Sequence, residues 1–294
     1  MYILTLISPP DRAPLADVGP VLAVLRPMLN PVRMVRLSPH AVDLHLEYRP
    51  SAMVEKAVMA LMQEQQVDAV MQPVEGRAKA LLISDMDSTL IGQECIDELA
   101  DCVGLKPQVA AITARAMNGE IGFEEALTAR VLLLKGLPES ALEEIFRTRI
   151  TLTPGACTLV ATMKAHGAYT VLVSGGFTFF TRRIAAALGF DMEQGNTLEV
   201  ADGRLTGYVL PPILGKDAKS AALAEVAARR GVPMGATLAV GDGANDLPML
   251  QMAGLGVAYH AKPAVEAATQ AVIRFNDLSV LLYVQGIPAS DWVV

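Results

Sequence analysis

Three cysteines in 294 residues, Cys95, Cys102 and Cys157, are too few and too irregularly spaced for a disulfide framework or a CxxC metal site. They read as free thiols of a reducing, cytoplasmic compartment. Basic runs are missing too, and the net charge of −7 argues against a nucleic-acid partner. No apolar stretch approaches the ~18–20 residues of a membrane span. The start, MYILTLISPPDR, has no basic leader before Pro9, Pro10, Asp11 and Arg12 interrupt it, so it does not read as a signal peptide. The four histidines, His40, His45, His166 and His260, are scattered and carry no metal-site or catalytic pattern. Repeats and low-complexity tracts are absent. What is abundant is apolar character: 52% hydrophobic residues and a mean hydropathy of +0.37 can build a sizeable core and argue against disorder.

The chain divides by rhythm. Residues 1–78 hold YILTLIS (strand), LADVGPVLAVLRPML (helix), VRMVRLSPHAVDLHLEY (two strands around a turn), SAMVEKAVMALMQEQQ (helix behind a serine cap) and VDAVMQPV (strand). That βαββαβ order predicts a ferredoxin-like unit and resembles the ACT-type modules of amino-acid enzymes. In residues 79–294 short Leu- and Val-rich runs without polar alternation, ALLIS, YTVLVS and TLAVG, predict strands buried on both faces of a parallel sheet. The helical stretches between them end in glycine. Residues 93–151 show helical spacing only. The expectation is an α/β fold: a Rossmann-like parallel sheet with helices on both faces, an inserted helical cap, and the ferredoxin-like unit in front.

Ligands of open parallel sheets bind at the carboxyl ends of the strands. Here those ends read SDMDST, SGGFT and GDGAND. Asp85 and Asp87 stand two apart at one of them, and Asp242 and Asp246 at another. Carboxylates crowded together resist joint ionisation unless a cation neutralises them. Oxygen donors without Cys or His favour a hard ion, and Mg²⁺ suits sparse carboxylates combined with phosphate. Ser174 and Gly175, before a helix, predict an anion site, and Lys219 can add positive charge. A dinucleotide fingerprint is a poor fit to GDGAND, because Asp246 takes the third glycine position; LGKDAKS lacks the upstream glycine of a P-loop. The parts suit phosphoryl transfer in which one carboxylate attacks phosphorus and its neighbour moves protons. Read singly, the acids could merely cap helices and Lys219 could be a solvated surface lysine.

In order and context these stretches resemble the haloacid dehalogenase superfamily: DMDST matches its DxDx[TV] motif, and Ser174, Lys219 and GDGAND match the other three. From Ala80 onward, DMDSTLIGQECIDELA, GFEEALTARVLLLKGLP, VSGGF, GDGANDLPML and AGLGVAYHAKP are similar to the branch that hydrolyses O-phospho-L-serine. The resemblance implies Asp85 as nucleophile and Asp87 as general acid/base. It implies Mg²⁺ on Asp85, Asp242 and the Asp87 carbonyl, and phosphate on Ser174, Gly175 and Lys219. Asn245 and Asp246 would support that end. In the cap, Glu94 and Arg130 would take the substrate's ammonium and carboxylate, and Phe123 would shield the phosphate. By spacing alone Glu94 could be a first-turn surface acid, Arg130 a solvated helix arginine and Phe123 a cap-core aromatic. The resemblance further implies a homodimer and a possible amino-acid effector at the front unit. The alternatives are another small-molecule phosphatase or phosphotransferase (phosphohomoserine, for example), and an amino-acid-sensing regulator with a relic catalytic half.

Overall fold

The structure, a computed structural model, describes residues 1–12, 14–15, 19–117, 120–215 and 217–293. Strands β1 (Tyr2–Ile7), β2 (Arg33–Ser38), β3 (Ala41–Leu46) and β4 (Asp68–Pro73) form an antiparallel sheet in the order β2-β3-β1-β4. Helices α1 (Gly19–Leu29) and α2 (Ala52–Glu64) complete the βαββαβ order. Ser51 caps α2 by accepting from the Val54 amide at 3.4 Å. Helix α1 was expected from Leu15; its first turn as read from residues 16–18 lies outside the described residues.

Because side chains alternate along a strand, this sheet has two different faces. Leu4, Leu6, Leu44 and Leu46 pack with Leu25, Val58 and Met62 of the two helices. The opposite face places Ile7, Ala41 and Val70 in the core of the larger unit, together with buried Thr5, Asp43, Asp68 and Gln72. Each of these polar groups is paired. The Arg77 guanidinium forks onto Asp43 at 2.7 and 2.8 Å and also donates to the carbonyls of Tyr283 and Val284. Asp68 accepts from the Arg274 amide and from Asn276 Nδ2, both at 2.8 Å. Gln72 donates to the Val284 carbonyl at 2.6 Å.

The larger unit is a seven-stranded sheet of β5 (Leu81–Ser84), β6 (Tyr169–Phe177), β7 (Met192–Ala201), β8 (Arg204–Leu210), β9 (Thr237–Gly241), β10 (Leu255–Tyr259) and β11 (Ala271–Ile273). The order is β11-β10-β9-β5-β6-β7-β8, parallel except for the β7–β8 pair. Helices α9 (Ala218–Arg230) and α10 (Leu247–Met252) cover one face, meeting Leu81 and Ile83. On the other, α7 (Ala156–Ala165), α8 (Thr178–Leu188) and α12 (Val280–Val284) meet Leu82. A short α11 (Pro263–Glu266) precedes β11. Only β5, β6 and β9 were read as strands from the sequence. The β7–β8 hairpin was missed although Asp202–Gly203 joins its strands, both residues at positive φ (50° and 70°), as a two-residue hairpin turn requires.

Helices α3 (Cys95–Cys102), α4 (Lys106–Met117), α5 (Phe123–Leu132) and α6 (Ser140–Thr148) form the helical insertion after β5. Its two ends are clipped by an antiparallel bridge between Ile91 and Leu152. Its far side is tied to the hairpin: the Gly136 amide donates to Leu205, Leu205 to Leu137, and Glu139 to Gly203, at 2.8–2.9 Å. Among the described residues no helix is long and apolar enough to cross a membrane.

Removing one partner of a buried ion pair strands the other charge. Arg77→Ala is therefore expected to lower the unfolding free energy by roughly 3 kcal/mol, read by urea titration. Arg49→Ala, whose guanidinium is 59% exposed in its pair with Glu55, should cost less than about 1 kcal/mol.

Candidate active site

The site is built at the carboxyl edge of the sheet because β5 and β9 are neighbours in parallel register. The Asp85 amide donates to the Val240 carbonyl at 3.0 Å, carrying the ladder one residue past β5 and setting Asp85 beside the turn after β9. That turn holds Asp242, Asn245 and Asp246. Carboxylate oxygens of Asp85, Asp242 and Asp246 lie within 4.8 Å of one another. Lys219, in the first turn of α9 and only 4% exposed, places its Nζ 2.5 Å from Asp85 Oδ2 and 2.6 Å from Asp246 Oδ1. Asp246 is held from the other side by the Gly243 amide, at 2.9 Å. Gly241 permits this approach, since a Cβ there would stand 2.5 Å from Asp246 Cγ. Thr89 donates to Asp242 at 3.1 Å.

Asp87 faces inward from the same loop. Its Oδ1 accepts the Cys95 amide at 3.2 Å. On its other side, a Cβ on Gly176 would meet Asp87 Oδ2 at 2.9 Å. Its side chain lies outside the close carboxylate trio.

One ammonium among so many acids leaves the site electrostatically short of positive charge. Burial and the neighbouring Asp246 push the Asp85 carboxyl well above the usual range, against the pull of Lys219. Burial and then Glu94 raise Asp87 to about 7. Burial and then Asp246 raise Asp242 to about 6. Burial works against the Lys219 ammonium, but the charges of Asp246 and Asp85 outweigh it and keep Lys219 protonated. This hard-oxygen donor set with surplus negative charge fits a divalent cation of the Mg²⁺ kind.

Beside the carboxylates lies a cavity of about 10 Å³ walled by Phe123, Ser174, Gly175, Leu214, Lys219 and Asn245. Ser174 is buried and accepts from the Gly176 amide at 2.8 Å. β6 runs on to Phe177 and α8 begins at Thr178, so Ser174 and Gly175 lie on the strand's end, three to four residues before the helix. The β6–β7 pairing shifts register between Val173 and Phe177, which bends SGGF away from a regular ladder.

The insertion closes over this cavity. Phe123 lies against Gly175, where an added Cβ would be 3.0 Å from Phe123 Cζ. Arg130 is half-buried on α5 and donates to the Ala126 carbonyl at 3.2 Å and Thr113 Oγ1 at 3.4 Å. Burial lowers its pKa against the attraction of Asp97, Glu94 and Asp87, and among the described residues it has no ion-pair partner. Glu94 is exposed at the start of α3 and accepts from Ser88 Oγ at 2.6 Å.

Asn196 was not anticipated. Fully buried on β7, it donates to the Gly175 carbonyl at 2.9 Å and accepts from the Leu214 amide at 2.8 Å. It thereby braces both loops around the cavity. A lone Asn inside a strand-forming run, a residue type depleted there, was its only signal. Leu214, Thr89 and Cys95 carried none.

The profile of haloacid dehalogenase-like hydrolases matches residues 82–251. A phosphoserine phosphatase of Streptomyces coelicolor is 46% identical over 215 residues, covering 73% of this chain and 52% of that protein. The chain thus spans about half the length of that relative. A phosphoserine phosphatase of Polaromonas sp. is 48% identical, covering 69% of this chain and 88% of that one. In three dimensions a probable phosphoserine phosphatase from Vibrio cholerae, unliganded, aligns with a TM-score of 0.78 at 33% identity, over 99% of this chain and 87% of that chain.

Carboxyls whose folded pKa exceeds the unfolded value bind extra protons in the folded state. With Asp242 near 6 and Asp87 near 7, the metal-free protein should lose stability as pH rises from about 4 to about 7. Mg²⁺ should raise the melting temperature at about pH 7.5 and much less at about pH 5. Melting curves at both pH values, with and without Mg²⁺, check this.

Proposed function

The chain belongs to the haloacid dehalogenase-like hydrolases, and from that premise we propose that it is a Mg²⁺-dependent phosphomonoesterase that releases L-serine from O-phospho-L-serine through an aspartyl-phosphate. The observation that carries the phosphatase reading is the single cavity shared by Ser174, Gly175, Lys219 and Asn245, with Lys219 itself joined to Asp85. Anion-binding groups thus stand beside a carboxylate able to attack the phosphorus they would hold.

Asp85 attacks phosphorus as the ester P–O bond breaks. Asp87 gives its proton to the departing serine oxygen, then takes one from the water that cleaves the Asp85–phosphorus bond and frees phosphate. Ser174, Gly175 and Lys219 hold the phosphoryl oxygens, and Asn245 and Asp246 support them. Asp85, Asp242 and the Asp87 carbonyl would hold Mg²⁺, which supplies charge neutralisation at the phosphoryl oxygens.

Substrate choice follows from charge. Phosphoserine offers an ammonium and a carboxylate beyond its phosphate. Arg130, half-buried with no ion-pair partner among the described residues, suits the carboxylate, and Glu94 suits the ammonium. The names of the relatives support the same substrate. Phe123, lying against Gly175, excludes water from the first step. The N-terminal sheet serves as an ACT-like unit that pairs two chains and offers a place for an amino-acid effector, in a cytoplasmic enzyme.

Rates on phosphoserine, phosphothreonine, phosphohomoserine and an aryl phosphate, with Mg²⁺, test the assignment; preference for phosphohomoserine would move it to a different amino-alcohol ester. Asp85→Asn should lower kcat by more than about 10³-fold with the fold intact. Arg130→Ala should lower kcat/KM for phosphoserine about 100-fold, and that for the aryl phosphate far less; equal losses would remove Arg130 as the carboxylate clamp.

A further inference from the structure

The phosphate loop leaves the sheet that carries it. Val173 pairs with Gln194 and Phe177 with Asn196, so residues 174–176 of β6 lie opposite a single residue of β7. Backbone groups that drop out of a ladder need other partners when buried. Gly195 lets β7 stay close to them, since a Cβ there would stand 3.2 Å from the Gly176 carbonyl oxygen.

Asn196, fully buried, supplies the missing partner, and its amide fits in one orientation only. Nδ2 donates to the Gly175 carbonyl at 2.9 Å and Oδ1 accepts from the Leu214 amide at 2.8 Å. A flipped amide would set acceptor against acceptor and donor against donor. The Gly175 carbonyl and the Gly176 N–H belong to one planar peptide group. That N–H donates to Ser174 Oγ at 2.8 Å. Ser174 Oγ thus receives a hydrogen from behind, and its own O–H is the one left to donate. It stands where Ser174 lines the cavity with Gly175, Lys219 and Asn245.

We propose that Asn196 is a positioning residue for the phosphoryl group, acting through the Gly175–Gly176 peptide to make Ser174 a fixed hydrogen-bond donor. Hydrogen bonds in a chain polarise one another, so the donors of Asn196, Gly176 and Ser174 strengthen in series. Were the peptide free to turn, the Ser174 lone pairs could face the phosphoryl oxygens and repel them. The second bond, to Leu214, holds the opposite wall of the same cavity. Asn is disfavoured in strands, but it is the shortest side chain with a donor and an acceptor on separate atoms of one rigid plane.

This inference rests on the phosphatase reading, and its test separates the two. Calorimetric binding of inorganic phosphate in the presence of Mg²⁺ needs no turnover; kcat/KM is measured on phosphoserine and on 4-nitrophenyl phosphate. Asn196→Leu removes both bonds at similar volume. It should weaken phosphate binding about tenfold and lower kcat/KM about tenfold on both esters alike, because they share the phosphoryl group. Ser174→Ala should cost about 30-fold on the same measures. The double variant should stay within about threefold of Ser174→Ala alone, since Asn196 acts through Ser174. Asn196→Thr, a strand former too short to join Gly175 to Leu214, stands in if the leucine variant fails to fold. Losses that multiply in the double variant, unchanged phosphate affinity in a folded variant, or a loss confined to one ester would overturn the proposal. If the parent ignores phosphoserine but cleaves the aryl ester with these contrasts intact, the substrate assignment fails and the role of Asn196 stands. If it cleaves neither ester, the phosphatase reading fails, and phosphate affinity alone decides for or against Asn196.

Discussion

The arrangement turns on one buried ammonium. Lys219 bridges Asp85 and Asp246 at 2.5 and 2.6 Å in a setting that excludes nearly all solvent. Burying a charge is costly unless it is paired, and two carboxylates to one ammonium leaves the pairing incomplete. Asp242 nearby makes the shortfall larger. The site is thus stable enough to fold yet retains a demand for positive charge, which is the condition for drawing in a metal ion with a phosphate beside it. A parallel sheet provides this concentration because β5 and β9 end on the same edge and their terminal residues become neighbours.

The insertion is held at both ends. Near the site, the Ile91–Leu152 bridge clips its linkers together. On the far side, the β7–β8 hairpin is hydrogen-bonded to residues 136–139, and Arg183 of α8 stacks on Phe179 at 3.6 Å while reaching Glu143 of α6 at 2.9 Å. Between these ties the insertion is also packed: Leu127, Val131, Leu134, Leu142 and Ile145 share one buried core with Leu172, Leu198 and Leu205 of the sheet unit. Asn196 ties the SGGF loop to Leu214 within the sheet unit.

The N-terminal sheet is joined through a face that mixes polar and apolar groups. Thr5, Asp43, Asp68 and Gln72 alternate with Ile7, Ala41 and Val70 on one face. Each polar group meets a partner presented by Arg77 or by residues 274–284. Such pairing carries less stability per contact than apolar packing, but it admits one docking register only, because any other would strand buried charge.

Short-range chemistry was legible in the chain. The carboxylates of DMDST and GDGAND and Ser174 announced themselves by residue type at strand ends, and glycine stops marked the helices, because strand, turn and helix preferences are local. The β7–β8 strands escaped notice since their alternation is half polar, although Asp202–Gly203 carried the turn signal. Lys219 and Arg130, by spacing alone, read as solvated side chains; only burial against distant segments makes one an ion-paired bridge and the other a half-buried cation with no ion-pair partner among the described residues. Asn196 became a functional candidate through a contact with a residue 21 positions away. The sequence by itself determined which chemical groups stand at the strand ends and in what order. The tertiary structure alone decided which of them lose their water and which face one another, because desolvation and Coulomb attraction depend on distances in space that residue order does not contain.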